Sequence, residues 1–195
     1  MADPLLKLFS STARVKLLRL FLFNPRQSFT VPESATHARL KERETRKEIT
    51  LFTQIGLVKR VRRPARAKGV RYMLSDDFEY VTALQNLLLN APERGEDIFE
   101  RIRRTGTIKL LILSGIFLGE WEGRLDIFIV GDRVKENKLR EHIRRLEAEI
   151  GKELRYALLS SDDFFYRLNM NDHLVRDVMD YPHKIIVDRL NIGLK

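Results

Sequence analysis

The sequence predicts an α/β chain overall, in two domains: an N-terminal α+β module, then a domain in which strands and helices alternate. Three observations predict it. A length of 195 residues suits two compact domains better than one small one. Residues 1–75 hold 17 Lys/Arg against 5 Asp/Glu and residues 76–195 hold 19 against 22, so the whole net charge of +9 arises in the first part. Helical spacing dominates before residue 75, whereas from Ile108 onward apolar runs of strand length alternate with amphipathic helices. The predicted boundaries are 1–75 for the first domain, 76–106 for a helical connector and 107–195 for the second domain.

The first helix is read in "SSTARVKLLRLFLFNP", where a Ser/Thr cluster suits an N-cap. Val15, Leu18, Phe21 and Leu22 recur at helical spacing, and Asn24-Pro25 stops the run. "FTVPESATHARL" has a short extended start and then a brief helix, with Pro32 suited to its first position. "KERETRKEITLFTQIG" is a third helix. Thr45, Ile49, Phe52 and Ile55 form its inner face and Gly56 stops it. Two alternating segments, Leu57–Val61 and Val70–Leu74, flank a basic tip that contains Pro and Gly, which is a hairpin. "SDDFEYVTALQNLLLN" opens on a cap signal at Ser75-Asp76-Asp77. Phe78, Val81, Leu84 and Leu88 then line one face, widened by Leu87 and Leu89. That face is expected to be covered by the chain itself or by a second copy. "GEDIFERIRRTG" is a further short helix.

In the second domain "IKLLILS" and "RLDIFIVG" read as buried strands, and "KENKLREHIRRLEAEIG" as a helix with Leu139, Ile143, Leu146 and Ile150 on one face. "ELRYALLS" is a third strand, "SDDFFYRLNMNDHLVRDVMD" is helical, and "HKIIVD" is a final strand.

Composition narrows the function. No apolar run is long enough to span a membrane, and "MADPLLKLFSS" lacks the layout of a signal peptide. With no cysteine there is neither a disulfide nor a thiolate metal site, and the simplest location is cytoplasmic. His37, His142, His173 and His183 have no metal-ligand spacing. No glycine-rich phosphate loop and no nucleophile elbow is present. No cofactor, metal site or catalytic residue is expected.

Three helices and a basic hairpin are the layout of a winged helix, a helix-turn-helix variant. Residues 5–75 resemble the winged-helix domains of bacterial and archaeal transcription regulators, chiefly in the third helix running into "IGLVKR" and the charged segment ending "RYML". Opposite the inner face of that helix stand Arg43, Arg46, Lys47 and Thr50, with the reach and the donors for base edges and phosphates. The alternative for this face is a solvated surface in which Glu42, Glu44 and Glu48 pair at i,i+4. The hairpin decides between them. Lys59, Arg60, Arg62, Arg63, Arg66, Lys68 and Arg71 place seven cations in 13 residues with no acid among them, a crowding that repels itself unless a phosphate backbone neutralises it. Double-stranded DNA is favoured over RNA, because no aromatic platform lies near the cations. Tyr72 is read as packing.

Residues 108–188 resemble the nucleotidyltransferase fold in its minimal form. That family has a strand, a Gly-Ser turn, a short helix, and then a strand bearing two acids one residue apart, with a third acid on a later strand. Laid over this chain, Ser114-Gly115 takes the turn in reversed order, Gly119 the following glycine, Asp126 the first acid and Phe128 the second. "ELRYALL" offers no third acid beyond Glu153 at its edge. Nucleotidyl transfer needs paired carboxylates to hold Mg²⁺ against a triphosphate. The expectation is therefore a vestigial nucleotide site at Ser114, Gly115 and Asp126, with Asp126 as a structural acid. Trp121, in "GEWEG", is expected on an exposed loop, packing there or covering a ligand.

These readings combine into a DNA-binding transcriptional regulator, acting as a homodimer, whose second domain dimerises or senses a nucleotide-like effector without catalysis. The alternatives are a Mg-dependent nucleotidyltransferase and an interaction module whose basic hairpin meets an acidic protein.

Overall fold

The computed structural model describes residues 4–61, 69–89, 95–120 and 123–192. Helix and sheet are mixed, and the chain divides into two compact units: Met1–Pro92 with Arg144–Glu153, and Glu93–Ile143 with Leu154–Lys195. The connector expected at 76–106 is divided between them.

In the first unit α1 (Pro4–Leu8) leads into α2 (Thr12–Leu22). Ser11 caps α2, its hydroxyl accepting the Arg14 N–H at 3.1 Å. Val15, Leu17, Leu18, Leu20, Phe21 and Leu22 are all buried, so α2 is enclosed on most of its circumference and forms the centre of the unit. α3 (Val31–Ala38) starts with a capping box: Thr30 Oγ1 accepts from the Glu33 N–H, and a Glu33 carboxylate oxygen accepts from the Thr30 N–H. Pro32 falls in its first turn. α4 (Glu42–Gln54) buries Thr45, Ile49 and Phe52 as its spacing predicts. Ile55 does not follow them. The helix ends at Gln54, and Ile55, at the cap, turns outward and is 52% exposed.

β1 (Val58–Val61) pairs antiparallel with β2 (Arg71–Leu74), Val58 opposite Leu74 and Val61 opposite Arg71. Phe29 extends this pairing through two backbone hydrogen bonds with Tyr72, each 2.8 Å. α5 (Val81–Leu89) begins later than the Ser75 cap signal predicts. The Ser75 N–H donates to Leu57 O at 2.9 Å, continuing the hairpin, and Asp76 is paired with Lys59. Leu88 is the buried anchor of α5, and Leu22 O accepts from Gln85 Nε2 at 2.8 Å.

The second unit opens with α6 (Gly95–Ile102) and is built on a four-stranded sheet. Its strands are β3 (Thr107–Ser114), β4 (Ile127–Asp132), β5 (Tyr156–Leu159) and β6 (His183–Asp188), in the order β5-β4-β3-β6. β3 runs antiparallel to both β4 and β6, while β4 and β5 are parallel. The parallel pair is connected through α7 (Glu136–Ile150), as parallel strands require a crossover. Leu110 to Leu113 and Ile127 to Val130 are all buried, so the two central strands are covered on both faces, which explains their unbroken apolar runs. One face packs Leu110, Ile112, Phe128 and Val130 against Phe164, Val175 and Val178.

Those last three residues belong to α8 (Ser161–Asn169) and α9 (His173–Asp180), two helices where the sequence reads as one helical segment. The break lies at Asn171, with φ +54°, after which Asp172 caps α9 by accepting the Leu174 N–H at 3.0 Å. α7 contributes residues to both units. Its last turn ends on Gly151 (φ +80°), where a Cβ would come within 2.5 Å of the backbone nitrogen of Leu20. Asn24 Nδ2 donates to Leu20 O and Gly151 O there, both at 2.7 Å.

Candidate nucleic-acid interface and the Ser114–Asp126 turn

α4 is held by its buried face and by one ion pair. Arg14 Nε donates to Glu48 Oε2 at 2.9 Å, and Ser11 Oγ donates to Glu48 Oε1 at 3.2 Å. Glu48 is thus nearly buried and turned toward the start of α2, which sets aside for this residue the alternative of pairing along its own helix. The consequence is electrostatic: the Glu48 carboxylate borders a concavity on α4 but is nearly buried and paired with Arg14 rather than with the exposed cations of the helix. Arg43, Arg46 and Lys47 are exposed there and have no hydrogen bond or ion pair to a described residue. With Arg14, Glu48, Thr50, Leu51 and Gln54 they line this concavity, of about 590 Å³. Thr50 donates its hydroxyl proton to Arg46 O at 2.8 Å, so outwardly it offers only an acceptor. Arg14, absent from the sequence-based set, joins the concavity through a contact with Glu48 made 34 residues away, for which the sequence carries no local signal.

The hairpin cations differ from one another. Arg60 is exposed without a partner among the described residues. Lys59 donates to Asp76 Oδ2 at 2.8 Å, a solvent-facing pair that holds the lysine above and the aspartate below their ordinary pKa values. Arg71 is engaged within the fold. Its Nε donates to Ser28 Oγ at 3.0 Å, its Nη1 to Glu33 Oε1 at 3.0 Å, and its Nη2 to Ser28 O. These bonds tie β2 to the start of α3 and leave the guanidinium little to offer a ligand. Arg62, Arg63, Arg66 and Lys68 lie outside the described residues, as does Trp121.

In the second unit β3 ends in a turn at Ser114-Gly115, and a short 3₁₀ helix (Gly115–Leu118) follows. Asp126, just before β4, is 1% exposed, and both its oxygens are occupied. Oδ1 accepts the Ile116 N–H at 3.0 Å, and Oδ2 accepts the Arg155 N–H at 2.8 Å and Arg155 Nε at 3.2 Å. The carboxylate thereby fastens the turn after β3 to the residue that precedes β5, as a structural acid. Gly115, with φ +54°, is required by the same arrangement, because a Cβ would lie 2.7 Å from Leu125 O and closer still to Asp126 Oδ1. Ser114 Oγ donates to Leu125 O at 2.8 Å. Phe128 is fully buried and packs on Phe164, ring centroids 6.0 Å apart.

Ser114 and Gly115 form part of the wall of a cavity of about 690 Å³, whereas Asp126 does not line it. The rest of the wall is mostly apolar, from Leu125, Leu174, Val178, Tyr181 and Pro182. Its charged groups among the described residues are Glu120, Arg124 and Asp177, the last two paired at 2.5 Å. None of these three stands out in the sequence, since Arg124 and Asp177 are 53 residues apart. Among the described residues no three His, Cys, Asp or Glu side chains gather to hold a metal ion, and no helix is long and apolar enough to cross a membrane.

Comparison with family models, with curated proteins and with solved structures finds no match to this chain.

Proposed function

We propose that this chain is a DNA-binding regulator, acting on duplex DNA through an N-terminal winged helix. The observation that carries the reading is the exposed side of α4, where Arg43, Arg46 and Lys47 have no partner among the described residues while the nearby Glu48 is drawn inward by Arg14 and Ser11. Cations left unpaired on the outer side of a firmly seated helix suit phosphates and base edges in a major groove. Arg60, and the tip cations beyond it in sequence, would grip the flanking phosphates. Two-fold DNA sites favour a homodimer.

In this reading the second unit resembles a nucleotidyltransferase without performing the transfer. The occupied oxygens of Asp126 and the buried ring of Phe128 support that. The test is binding of the full chain to random-sequence duplex DNA across a salt series. The logarithm of affinity should fall with the logarithm of salt by about 0.9 per neutralised phosphate, and Arg46→Ala with Lys47→Ala should flatten the slope by about 1.8. Absence of salt-dependent binding overturns the proposal.

A further inference from the structure

The cavity of the second unit has properties that the DNA reading leaves unused. Its volume of about 690 Å³ is that of a small-molecule site. Leu125, Leu174 and Val178 supply apolar walls, and Tyr181 supplies an aromatic ring that is 54% exposed. Glu120 and Asp177 line the space, and the one cation among its described lining residues, Arg124, is already engaged by Asp177. Among the described lining residues a nucleotide triphosphate would meet two carboxylates and one guanidinium, itself committed. That charge balance repels a polyanion and attracts a cation.

The pair is asymmetric. The Asp177 side chain is 22% exposed and fixed on α9, whereas that of Arg124 is 74% exposed. An exposed arginine gains little from a surface pair and loses little on leaving it. Arg124 thus occupies, from the solvent side, the place a ligand's cation would take, but its guanidinium cannot fill the leucine-walled space behind.

From this we infer that the cavity binds a small organic amine with an apolar or aryl body. The ammonium would replace Arg124 at Asp177, with Glu120 as a further attracting charge. The body would bury against Leu125, Leu174 and Val178, with Tyr181 at the mouth providing a π-face to the cation. This does not depend on DNA binding.

The experiment is calorimetric titration of the full chain with phenethylamine, with phenylpropionate and ATP as the anionic counterparts. Phenethylamine should bind, and both anions should bind more weakly or not at all. Asp177→Asn should weaken amine binding about ten- to a hundred-fold, the worth of one charge-assisted hydrogen bond. Arg124→Ala removes the competing cation and should tighten it. An anion that binds as well as the amine, amine binding indifferent to Asp177→Asn, or amine binding weakened by Arg124→Ala overturns the proposal, as does failure of phenethylamine to bind.

Discussion

Gly115 and Gly119 bound the same turn of the second unit, and a comparison of alanine at each isolates what Asp126 does. Both have positive φ, +54° and +83°, so alanine pays a backbone penalty of about 1–2 kcal/mol at either position. They differ in what the new methyl group meets. At Gly119 nothing lies within 4 Å. At Gly115 the methyl would be 2.7 Å from Leu125 O and closer to Asp126 Oδ1, so the carboxylate has to retreat. Its other oxygen is anchored by the Arg155 N–H at 2.8 Å, and Leu125 O is anchored by Ser114 Oγ at 2.8 Å, so retreat breaks the bond from the Ile116 N–H. Loss of a hydrogen bond to a buried charge costs about 1.5–3 kcal/mol. Gly115→Ala should therefore destabilise the second unit by about 2.5–5 kcal/mol, against about 1–2 kcal/mol for Gly119→Ala. Urea unfolding followed by circular dichroism measures both midpoints. If the two variants lose equal stability, the turn tolerates a displaced Asp126 and the structural role assigned to that carboxylate is wrong.

Gly151→Ala combines a φ of +80° with a methyl 2.5 Å from Leu20 N, and should cost the first unit about 2–5 kcal/mol in chemical denaturation. Arg71→Ala should lower the stability of the first unit by about 1–3 kcal/mol while leaving the salt slope of DNA binding unchanged, because its bonds run to Ser28 and Glu33; a flattened slope would return Arg71 to the interface. Asp132 is held below its ordinary pKa by hydrogen bonds from the Ser161 N–H, at 3.0 Å, and the Ser161 hydroxyl, at 2.9 Å. Because the folded pKa is the lower one, this contribution is complete above the ordinary value of 3.8 and is lost as pH falls through the folded value. Asp132→Asn should make stability less steep in that acid range, and an unaltered acid profile would show that Asp132 contributes none of it.

Periodicity carried most of the fold because it records which side of each element is dry. Thr45, Ile49 and Phe52 on α4, and the unbroken apolar runs of β3 and β4, follow directly from burial on one face or on two. Where a helix ends is decided by hydrogen bonds that periodicity does not encode. Ile55 keeps the spacing of its stripe but lies past the last helical residue, and at Ser75-Asp76, read as a helix cap, the bonds run to Leu57 O and Lys59. The break between α8 and α9 was legible in principle, in an asparagine able to adopt positive φ followed by a capping aspartate. The candidate sites were legible as residue types but not as relationships. Glu48 with Arg14, Arg71 with Ser28 and Glu33, and Asp126 with Arg155 are contacts across 29 to 43 residues, and each sorts a charged side chain between surface and framework in a way that composition does not reveal.

The inward-facing ion pair of α4 also bears on how salt titrations of this protein are to be interpreted. Dissolved ions weaken attractions between solvent-facing charges and act far less on a carboxylate removed from water. Glu48, with 6% of its side chain exposed, is such a carboxylate, so added salt should strip bound polyanion from Arg43, Arg46 and Lys47 without loosening the helix that presents them. The carboxylate that seats α4 is thereby nearly out of water, although its partner Arg14 also lines the concavity of displayed cations. A salt-dependent affinity measured on it then reports ions released from the ligand, with little admixture of partial unfolding.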